Sequence, residues 1–468
     1  PPTDIGSLRP ICLLEIPYKL ISSVIAERLK NFSNHILTYH QNAYSANSNI
    51  ANCSRTILDF RTLARKLNKS LAIIGLDFSS AFDMISHSFC FETMKFFGFL
   101  DDLISKIKTL LYKPMISLAV NEQITQPFQQ AAVGSGQGDP ISAFLFCISI
   151  QPLLLRLAYD PDIKRFTHTY DDADSNESKV IGEPVGFADD VHVFLDPSDP
   201  NNLNSLLDTL TSFSDISNLK LNHKKTEFMD INVPPLTMQR VNDYELAIVD
   251  SIKFVGAHTI SQDDPSREYI LNFQKAKEQS QQYMSRMEHR NISAIGSSII
   301  YNSKVLSKYT HLLYNFHPTD ADCDAMNKRA MDFVRSFDGG RYLVKKKRFF
   351  IPHHLGGLNL RNFGFFSKSL LTHWLKQMQR NDASTNQNWT SVLRVLLSKL
   401  KLKIEDIRSL GYIDLKKIGE QLLPDSNFWS KTFVKLSSLV KDVENKHKDF
   451  TTLPILGGTL AKQLKRPE

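Results

Sequence analysis

The sequence predicts an α+β fold, in which a small antiparallel sheet carries acidic side chains and a mostly helical region follows. Leu71–Phe78 is an apolar run of strand length with Asp77 near its C-terminal end, the pattern of a buried strand. Val185–Leu195 has β-branched and aromatic residues on both sides of Asp189 and Asp190, which predicts a β-hairpin with two carboxylates at its turn. From about Glu268 onward the chain is predicted to be mostly helical, and a composition shift near residue 265 marks the predicted domain boundary.

The other predicted elements follow from local patterns of the same kind. A helical apolar face runs from Ile11 to Leu29, with Pro17 as a break or a start within it. A glycine-rich turn leads into Asp139 and Pro140, a capping acid and a proline at the first position of a helix. In chain order the remaining elements are helices over Phe89–Leu111, a hairpin around Asn121, a helix over Asn202–Leu219, a stretch over Lys220–Phe228 that leads into a strand, and a short strand over Ile252–Thr259.

Composition limits the class of protein. With 468 residues, 42% of them hydrophobic, the chain can bury a core for roughly two to four subdomains. Lysine and arginine number 56 against 49 acids, a net charge of +7, which permits a polyanionic partner without requiring one. The five cysteines are scattered, so neither a disulfide framework nor a zinc site is predicted.

The sequence predicts an intracellular protein, located in the nucleus and/or the cytoplasm, with no membrane contact. No signal peptide pattern opens the chain, and its most apolar stretch, Ile141–Tyr159, is interrupted by Gln151, Pro152 and Arg156. The chain starts at Pro1 and its first pattern begins at once, so we expect it to be a segment of a longer protein.

Asp77, Asp189 and Asp190 are the residues that suggest chemistry. Nucleotidyl transfer depends on neutralising charge, for which enzymes use two magnesium ions about 3.5–4 Å apart. Magnesium is held by one or two carboxylates together with waters and substrate phosphates, and acids at a strand end and a hairpin tip can supply them. The alternative is an ordinary Asp-Asp turn, because aspartate favours turns. Convergence of these acids is therefore a prediction about tertiary structure.

A second acidic stretch competes with the first. Tyr170-Asp171-Asp172 is followed by further polar residues, among them Asp174 and Glu177. Because no apolar strands flank these acids, we predict a solvated loop there.

The ordered set of motifs resembles the reverse transcriptases of non-LTR (LINE-type) retrotransposons. Phe187-Ala188-Asp189-Asp190 resembles the aromatic-x-Asp-Asp box of that family. The similar blocks, in the order of the family, are Arg9-Pro10-Ile11 and Gln41–Tyr44 in the fingers, Leu76–Asp83 in the palm, Gly134–Ser142 with its Gln-Gly-Asp-Pro, Lys220–Glu227, the primer-grip turn Phe254-Val255-Gly256, and the Gly-Gly-Leu block Gly356–Leu360. Together these motifs cover roughly residues 1 to 370.

This resemblance implies a right-hand polymerase fold with fingers, a palm containing the antiparallel sheet, a thumb, and a mostly helical C-terminal region. The implied boundaries are 1–265 for fingers and palm, 266–345 for the thumb and 346–468 for a C-terminal region of unknown role. The implied activity is RNA-directed DNA synthesis from dNTPs on an RNA template and a DNA primer or target DNA. The implied cofactor is a pair of Mg²⁺ ions, with Mn²⁺ as an alternative.

The resemblance also implies residue roles in the metal site. Asp77 and Asp189 bridge both metals, Asp190 assists at the metal nearer the primer, and the carbonyl of Phe78 faces the metal on the triphosphate side.

Further roles concern the nucleotide. Phe82 resembles the aromatic gate that rejects a 2′-hydroxyl, with core packing as the alternative. Gln137 and Gly138 let backbone approach the incoming nucleotide, and Arg9 belongs to the same nucleotide-binding group. Lys225 protonates or positions the departing pyrophosphate, or is simply an exposed lysine paired with Glu227.

The basic residues beyond 265, above all Lys345–Arg348, are expected to contact the duplex backbone. A solvated face, or a targeting signal for the lysine-arginine run, is the alternative.

Some positions depart from the family's pattern. No cation follows Tyr44, Ser80 stands where lysine is common, and Gly136 stands where arginine is frequent. A catalytically decayed, nucleic-acid-binding remnant therefore remains the alternative to an active polymerase. A splicing maturase is a third possibility, against which the Gly356–Leu360 block argues.

Overall fold

The structure is a computed structural model that describes residues 11–44, 49–111, 114–129, 133–262, 264–287, 290, 292–337, 345–378, 388–409, 412–424 and 426–446. The chain divides into two compact units. The first contains residues 1–168 and 181–255, and the second contains residues 169–180 and 256–468.

Thirteen strands and nineteen α-helices are present in the described part of the chain. The strands are β1 (Leu71–Leu76), β2 (Met115–Ile116), β3 (Ala119–Val120), β4 (Gln123–Ile124), β5 (Phe128–Gln129), β6 (Thr167–Asp171), β7 (Glu177–Ile181), β8 (Val185–Phe187), β9 (Asp190–Leu195), β10 (Glu227–Ile231), β11 (Ala247–Ile248), β12 (Ser251–Phe254) and β13 (Ala257–Ile260). The helices are α1 (Ile16–Lys30), α2 (Ser33–Ile36), α3 (Ile50–Lys66), α4 (Ala81–Met84), α5 (His87–Phe96), α6 (Asp101–Leu111), α7 (Ser142–Tyr159), α8 (Asn201–Ser217), α9 (Pro235–Asp243), α10 (Pro265–Met287), α11 (Ala294–Ile300), α12 (Ser307–Leu313), α13 (Asp320–Ser336), α14 (Lys346–Phe350), α15 (Phe363–Leu370), α16 (Thr372–Met378), α17 (Asn388–Ser398), α18 (Tyr412–Leu422) and α19 (Asn427–Lys446).

A five-stranded sheet forms the centre of the first unit, with strand order β11-β10-β1-β9-β8. β1 pairs antiparallel with both β10 and β9, and β8 pairs antiparallel with β9. Every residue of β1 is buried, so both faces of this central strand are covered, which explains why its sequence is continuously apolar instead of alternating. The predicted strand and hairpin are confirmed.

Helices α7 and α8 cover one face of this sheet. Phe146 and Leu154 of α7 and Leu206 of α8 belong to one buried cluster with Ile74 of β1 and Val193 of β9. Within the described ranges, α7 is the one helix long and apolar enough to cross a membrane. Most of its residues are buried in this protein core, which accounts for its composition.

The starts of two helices refine the sequence predictions. α1 begins at Ile16 with Pro17 in its first turn, where proline is preorganised for a helix. The helix predicted to begin at Asp139 and Pro140 instead begins at Ser142. The Asp139 carboxylate accepts the N–H of Ile141 at 3.2 Å, so this acid caps the turn that precedes the helix.

The loop predicted around Tyr170 is the turn of a short hairpin: Asp171 and Glu177 lie in the strands β6 and β7, and Asp172 and Asp174 lie in the turn between them. Asp171 ends β6, and the Asp172 carboxylate accepts the N–H groups of Asp174 and Asn176, each at 2.9 Å. These hydrogen bonds form the turn and lower the pKa of Asp172. The polar strand residues alternate between solvent and partly covered positions, a pattern that does not need apolar flanks.

The second unit is mostly helical, as the sequence predicted beyond residue 265. Its core includes the aromatic cluster Trp374, Trp389 and Trp429, with ring centroids 5.0–5.7 Å apart. The Gly-Gly-Leu block folds back on the end of α14, where a side chain at Gly357 would collide with the carbonyl of Ile351. This close backbone approach requires glycine at that position.

Candidate active site

Asp77, Asp189 and Asp190 lie at one end of neighbouring strands. Asp77 directly follows β1, whose last residue, Leu76, pairs with Val191 of β9. β8 and β9 are joined by the two-residue turn Ala188-Asp189, closed by the pair of Phe187 and Asp190. The antiparallel register therefore brings acids that are distant in sequence to the same edge of the sheet.

Asp77 interacts electrostatically with charged side chains close to it. Burial raises the pKa of Asp77, the nearby Lys225 ammonium opposes this effect, and the charge of Asp189 raises the pKa further. Burial also raises the pKa of Glu227; the N–H of Lys253 opposes that rise and the charge of Asp77 adds to it. Glu227 had no role in the site predicted from sequence. Glu227 interacts with Asp77 because β1 pairs with β10, and local sequence patterns do not reveal that pairing.

No group of three or more histidine, cysteine, aspartate or glutamate residues is close enough to hold a metal by itself among the residues that the structure describes. Asp77 is partly buried, Asp189 is partly buried and Asp190 is exposed. Two of the acids therefore interact electrostatically at the strand ends, and the third faces solvent beside them.

The backbone after Asp77 has a fixed orientation. The N–H of Asn222 donates to the carbonyl of Asp77 at 2.8 Å, and the N–H of Ser79 donates to the carbonyl of Lys220 at 2.9 Å. Phe78 faces Leu221 in the bridge between these bonds. In such a pair the two central residues direct their own N–H and C=O groups away from each other, so the Phe78 carbonyl points away from Leu221.

Lys225 lies on a 3₁₀ turn, His223–Lys225, which directly follows the segment bonded to the backbone of Asp77 and Ser79. Asn222 caps this turn by accepting the N–H of Lys225 at 3.3 Å. The hydroxyl of Thr226 accepts the N–H of Asp77 at 3.4 Å. Lys225 is exposed, and its charge acts on Asp77.

Phe82 packs in the core and also lies next to the turn that carries Asp189, so its position fits both alternatives considered from the sequence. Its ring stacks on Phe146 with centroids 4.3 Å apart and an interplanar angle of 21°. It is only partly buried, and it also packs against the cluster that contains Ala188 and Cys147. Phe82 is thus a core residue whose ring borders the acidic turn.

The Gly134–Gly138 loop lies against the chain around Phe82 and Cys12. The N–H of Ser135 donates to the carbonyl of Phe82 at 2.7 Å, and the carbonyl of Gln137 accepts the N–H of Cys12 at 2.8 Å. Gly138 has φ +110 and is exposed, a conformation that suits glycine. Arg9 lies outside the described residues, as do positions 45–48 after Tyr44.

Asp139 is an anchor whose role the sequence did not reveal. It is buried and accepts hydrogen bonds from the hydroxyls of Tyr18, at 2.6 Å, and Ser22. These bonds join α1 to the loop before α7. Both donors are more than 100 residues away in sequence, so only the helical spacing of Tyr18 and Ser22 could have suggested them.

The predicted primer-grip residues are the last residue of β12 and the tight turn that follows it. Phe254 is buried, and its ring centroid lies 4.2 Å from that of His192 on β9. Val255 has φ 43 and Gly256 has φ 86. A positive φ is an outlier for a β-branched residue such as valine, so this turn is held in a conformation that its own sequence disfavours.

Comparisons with known proteins agree with these motifs. The family model for reverse transcriptase (RNA-dependent DNA polymerase) matches residues 1–259. The chain is 24% identical over 348 residues to the Transposon TX1 uncharacterized 149 kDa protein of Xenopus laevis, covering 70% of this chain and 24% of that protein. It is 26% identical over 228 residues to the retrovirus-related Pol polyprotein from the type-2 retrotransposable element R2DM of Drosophila melanogaster, covering 48% and 20%. The chain thus spans about a quarter or less of the length of these curated relatives.

Solved telomerases show a weak structural likeness. Telomerase from Candida albicans in complex with a TWJ fragment of telomeric RNA aligns with TM-score 0.39 and 10% identity, covering 90% of this chain and 58% of that one. Apo telomerase from Candida tropicalis aligns with TM-score 0.39 and 11% identity, covering 81% and 61%. The family model covers more than half of the chain and the predicted resemblance to non-LTR retrotransposon enzymes is confirmed. The chain therefore belongs to the reverse transcriptase (RNA-dependent DNA polymerase) family, with an α+β fold of the right-hand polymerase class.

Proposed function

We propose that this chain is the polymerase part of a non-LTR retrotransposon reverse transcriptase, an RNA-directed DNA polymerase that adds dNTPs to a primer 3′-hydroxyl. The observation that carries this proposal is the placement of Asp77 and Asp189 at adjacent strand ends, where the charge of Asp189 raises the pKa of Asp77. Two carboxylates that repel each other in a partly buried edge are a site for cations.

Reverse transcriptases use divalent metal ions, and the residues present fit them. Asp77, Asp189, Asp190 and the carbonyl of Phe78 would hold two Mg²⁺ ions, with Mn²⁺ as an alternative. Magnesium needs only one or two carboxylates when substrate phosphates and waters complete its shell, so a pair of partly buried acids is enough. Bound there, the ions would neutralise charge on the attacking and leaving oxygens.

The other residues act on the substrates directly. Lys225 carries an exposed cation beside Asp77, where it can neutralise the departing pyrophosphate or donate a proton to it. Phe82 presents a partly buried ring next to the acidic turn, where it would contact the sugar of an incoming nucleotide. The exposed backbone of Gly138 and its neighbour Gln137 would approach the same nucleotide, assisted by Arg9.

Further residues would contact the polynucleotide. The turn Phe254-Val255-Gly256 would hold the primer end. In the second unit, Lys345–Arg348 are exposed at the start of α14, where they can neutralise phosphates of the RNA template or of the DNA primer or target. With these substrates, we expect the protein to act inside the cell, in the nucleus and/or the cytoplasm.

Gly136 is one of the positions that depart from the family's pattern, and its surroundings bear on the alternative of a catalytically decayed remnant. At Gly136, where arginine is frequent in the family, a Cβ would lie 2.9 Å from the sulfur of Cys12. A larger residue could enter only if Cys12 moved. Glycine at this position is therefore matched to its neighbour, and it does not by itself indicate loss of activity.

Primer extension on an RNA template with Mg²⁺ tests the proposal. We expect extension by the wild-type protein and a loss of at least about 100-fold in Asp189→Asn, because that change removes a charge that must face the metals. Asp171→Asn, which alters an exposed acid at the end of β6, is the matched control and should leave extension unchanged.

Each other outcome has a definite meaning. Tight binding of primer and template without extension by the wild type would support the decayed remnant. Extension that survives Asp189→Asn would refute the metal assignment.

A further inference from the structure

The side chain of Gln41 is bonded to the backbone of the turn that carries Asp189. Gln41 is 1% exposed. Its Oε1 accepts the N–H of Ala188 at 2.9 Å and the N–H of Ala43 at 2.9 Å, and its Nε2 donates to the carbonyl of Ala188 at 3.3 Å. One amide side chain thus satisfies both backbone polar groups of Ala188.

Ala188 needs this support because of its conformation. It is the first loop residue of a two-residue hairpin and has φ 56. Hairpin loops of this length require a positive φ at that position, which glycine, asparagine or aspartate normally provides. Alanine is penalised there by its Cβ, so the turn must be stabilised by contacts from elsewhere in the chain.

The backbone on both sides of Gln41 is also fixed to the hairpin. The N–H of Asn42 donates to the carbonyl of Gly186 at 2.7 Å, and the N–H of Gly186 donates to the carbonyl of His40 at 2.7 Å. These bonds make a parallel bridge between Gln41 and Gly186 of β8. Gln41 is therefore held in register with the strand that leads into Ala188.

A buried polar network holds this segment in place. Nε2 of the fully buried His40 side chain lies 3.1 Å from Glu183, which also accepts the hydroxyl of Tyr39. Nδ1 of His40 lies 2.8 Å from the Thr38 hydroxyl, which accepts the side-chain amide of Gln151 on α7 at 2.7 Å. Burial alone would raise the pKa of Glu183, but the hydrogen bonds from His40 and Tyr39 outweigh it and lower that pKa.

We propose that Gln41 is a positioning residue for Asp189, and that the His40–Glu183 pair fixes where Gln41 lies. The amide of Gln41 sets the orientation of the Ala188 peptide, and this peptide sets the direction in which the next residue, Asp189, presents its carboxylate. The proposal rests on the proposed function of Asp189 as a metal ligand. It gives the Gln41–Tyr44 motif a role that the motif alone did not suggest.

The test compares Gln41→Met with Gln41→Met/Ala188→Gly. Methionine has a similar length but makes none of the three hydrogen bonds. We expect kcat for primer extension to fall about 10- to 100-fold, as for other misplaced catalytic groups, with a change of less than about threefold in the KM for dNTP. Glycine adopts a positive φ without strain, so the double variant should recover at least about threefold of the lost kcat.

Controls separate positioning from general destabilisation. Gln123→Met changes an exposed glutamine of β4 and should behave as wild type. Glu183→Gln removes the charge beside His40 and should lower kcat by a smaller factor, about two- to fivefold. This variant carries the test if Gln41→Met does not fold.

Mn²⁺ binding, measured without nucleic acid by the electron paramagnetic resonance of the free ion, is a second readout. We expect weaker binding in Gln41→Met and partial recovery in the double variant. If the wild type does not extend primers, the proposed function fails, and the Mn²⁺ titration still decides the positioning role. Wild-type kcat and Mn²⁺ affinity in Gln41→Met, or a loss that Ala188→Gly does not reduce, would overturn the inference.

Discussion

Gly75→Ala should push apart the two strands that carry the acids. Gly75 of β1 faces His192 of β9 in the sheet register. A Cβ at Gly75 would lie 2.9 Å from Nε2 of His192 and 3.2 Å from Cδ1 of Ile252. The ring of His192 is buried and packs on Phe254 at 4.2 Å, so it has little room to move away.

The size of the effect follows from two opposing contributions. Inserting a methyl group into a packed core costs about 1–3 kcal/mol. Replacing glycine by alanine within a strand returns about 0.5–1 kcal/mol through backbone entropy. The two ranges leave a net loss of about 0–2.5 kcal/mol, and we expect the free energy of unfolding to fall by about 1 kcal/mol in urea denaturation. Primer extension should fall as well, because Asp77 and Asp190 sit at the ends of the displaced strands.

A double-variant cycle identifies the cause. If the clash with the imidazole is responsible, Gly75→Ala should cost much less in a His192→Ala background, giving an interaction energy of about 0.5 kcal/mol or more. Strictly additive losses, or a Gly75→Ala protein as stable as wild type, would show that the packing between these strands is not tight.

Three further outcomes are expected. Burial lowers the pKa of His192 to about 3, and the unfolded state protonates near pH 6.5, so this residue should remove about 1.4 kcal/mol of stability per pH unit between those two values. The slope of stability against pH should be shallower by that amount in His192→Asn, and an equal slope in the two proteins would contradict the assignment. Phe82→Val should admit ribonucleotides in primer extension and lower stability by about 1–3 kcal/mol through lost stacking on Phe146; unchanged sugar selectivity would make Phe82 a core residue only. Lys346→Ala/Lys347→Ala should reduce the salt dependence of template binding by about one phosphate contact per lysine, and an unchanged slope would assign these lysines to a solvated face.

Sequence patterns predicted the elements whose signal is local. Leu71–Leu76 is buried on both faces and reads as a continuous apolar run. The hairpin around Asp189 alternates apolar strands with a short acidic turn. In both cases the pattern that predicts the element is carried by the element's own residues. The fold class and the acid-bearing segments could therefore be predicted from the sequence.

Long-range partners could not be predicted in this way. The glutamine amide of Gln41 meets Ala188, and the hydroxyls of Tyr18 and Ser22 meet Asp139, across more than 100 residues in each case. Any buried polar group needs a partner, but the sequence does not say which one. The hairpin at Asp172 was missed for a different reason, since its strands are polar and follow no apolar alternation.

Backbone conformations connect the fold to the site. Ser80, Ala188 and Val255 have positive φ values, although none of them is glycine or asparagine. Ser80 lies three residues after Asp77, Ala188 directly precedes Asp189, and Val255 belongs to the proposed primer grip. Such conformations persist only where surrounding contacts determine them. For Ala188 the contact is Gln41, and Val255 directly follows Phe254, whose ring packs on His192.

The geometry of the acids is therefore set by tertiary contacts that oppose local preference. A hairpin peptide with the sequence of Val185–Leu195 would lack Gln41 and the strand that carries Asp77, and nothing else in it favours a left-handed Ala188. We infer that the cation site proposed for these acids would form only when the first unit folds as a whole. Neither Gln41 nor Gly75 carries a charge, but both fix the position of the acids. We therefore expect substitutions at either residue to weaken metal binding, as substitutions of neighbouring acids would.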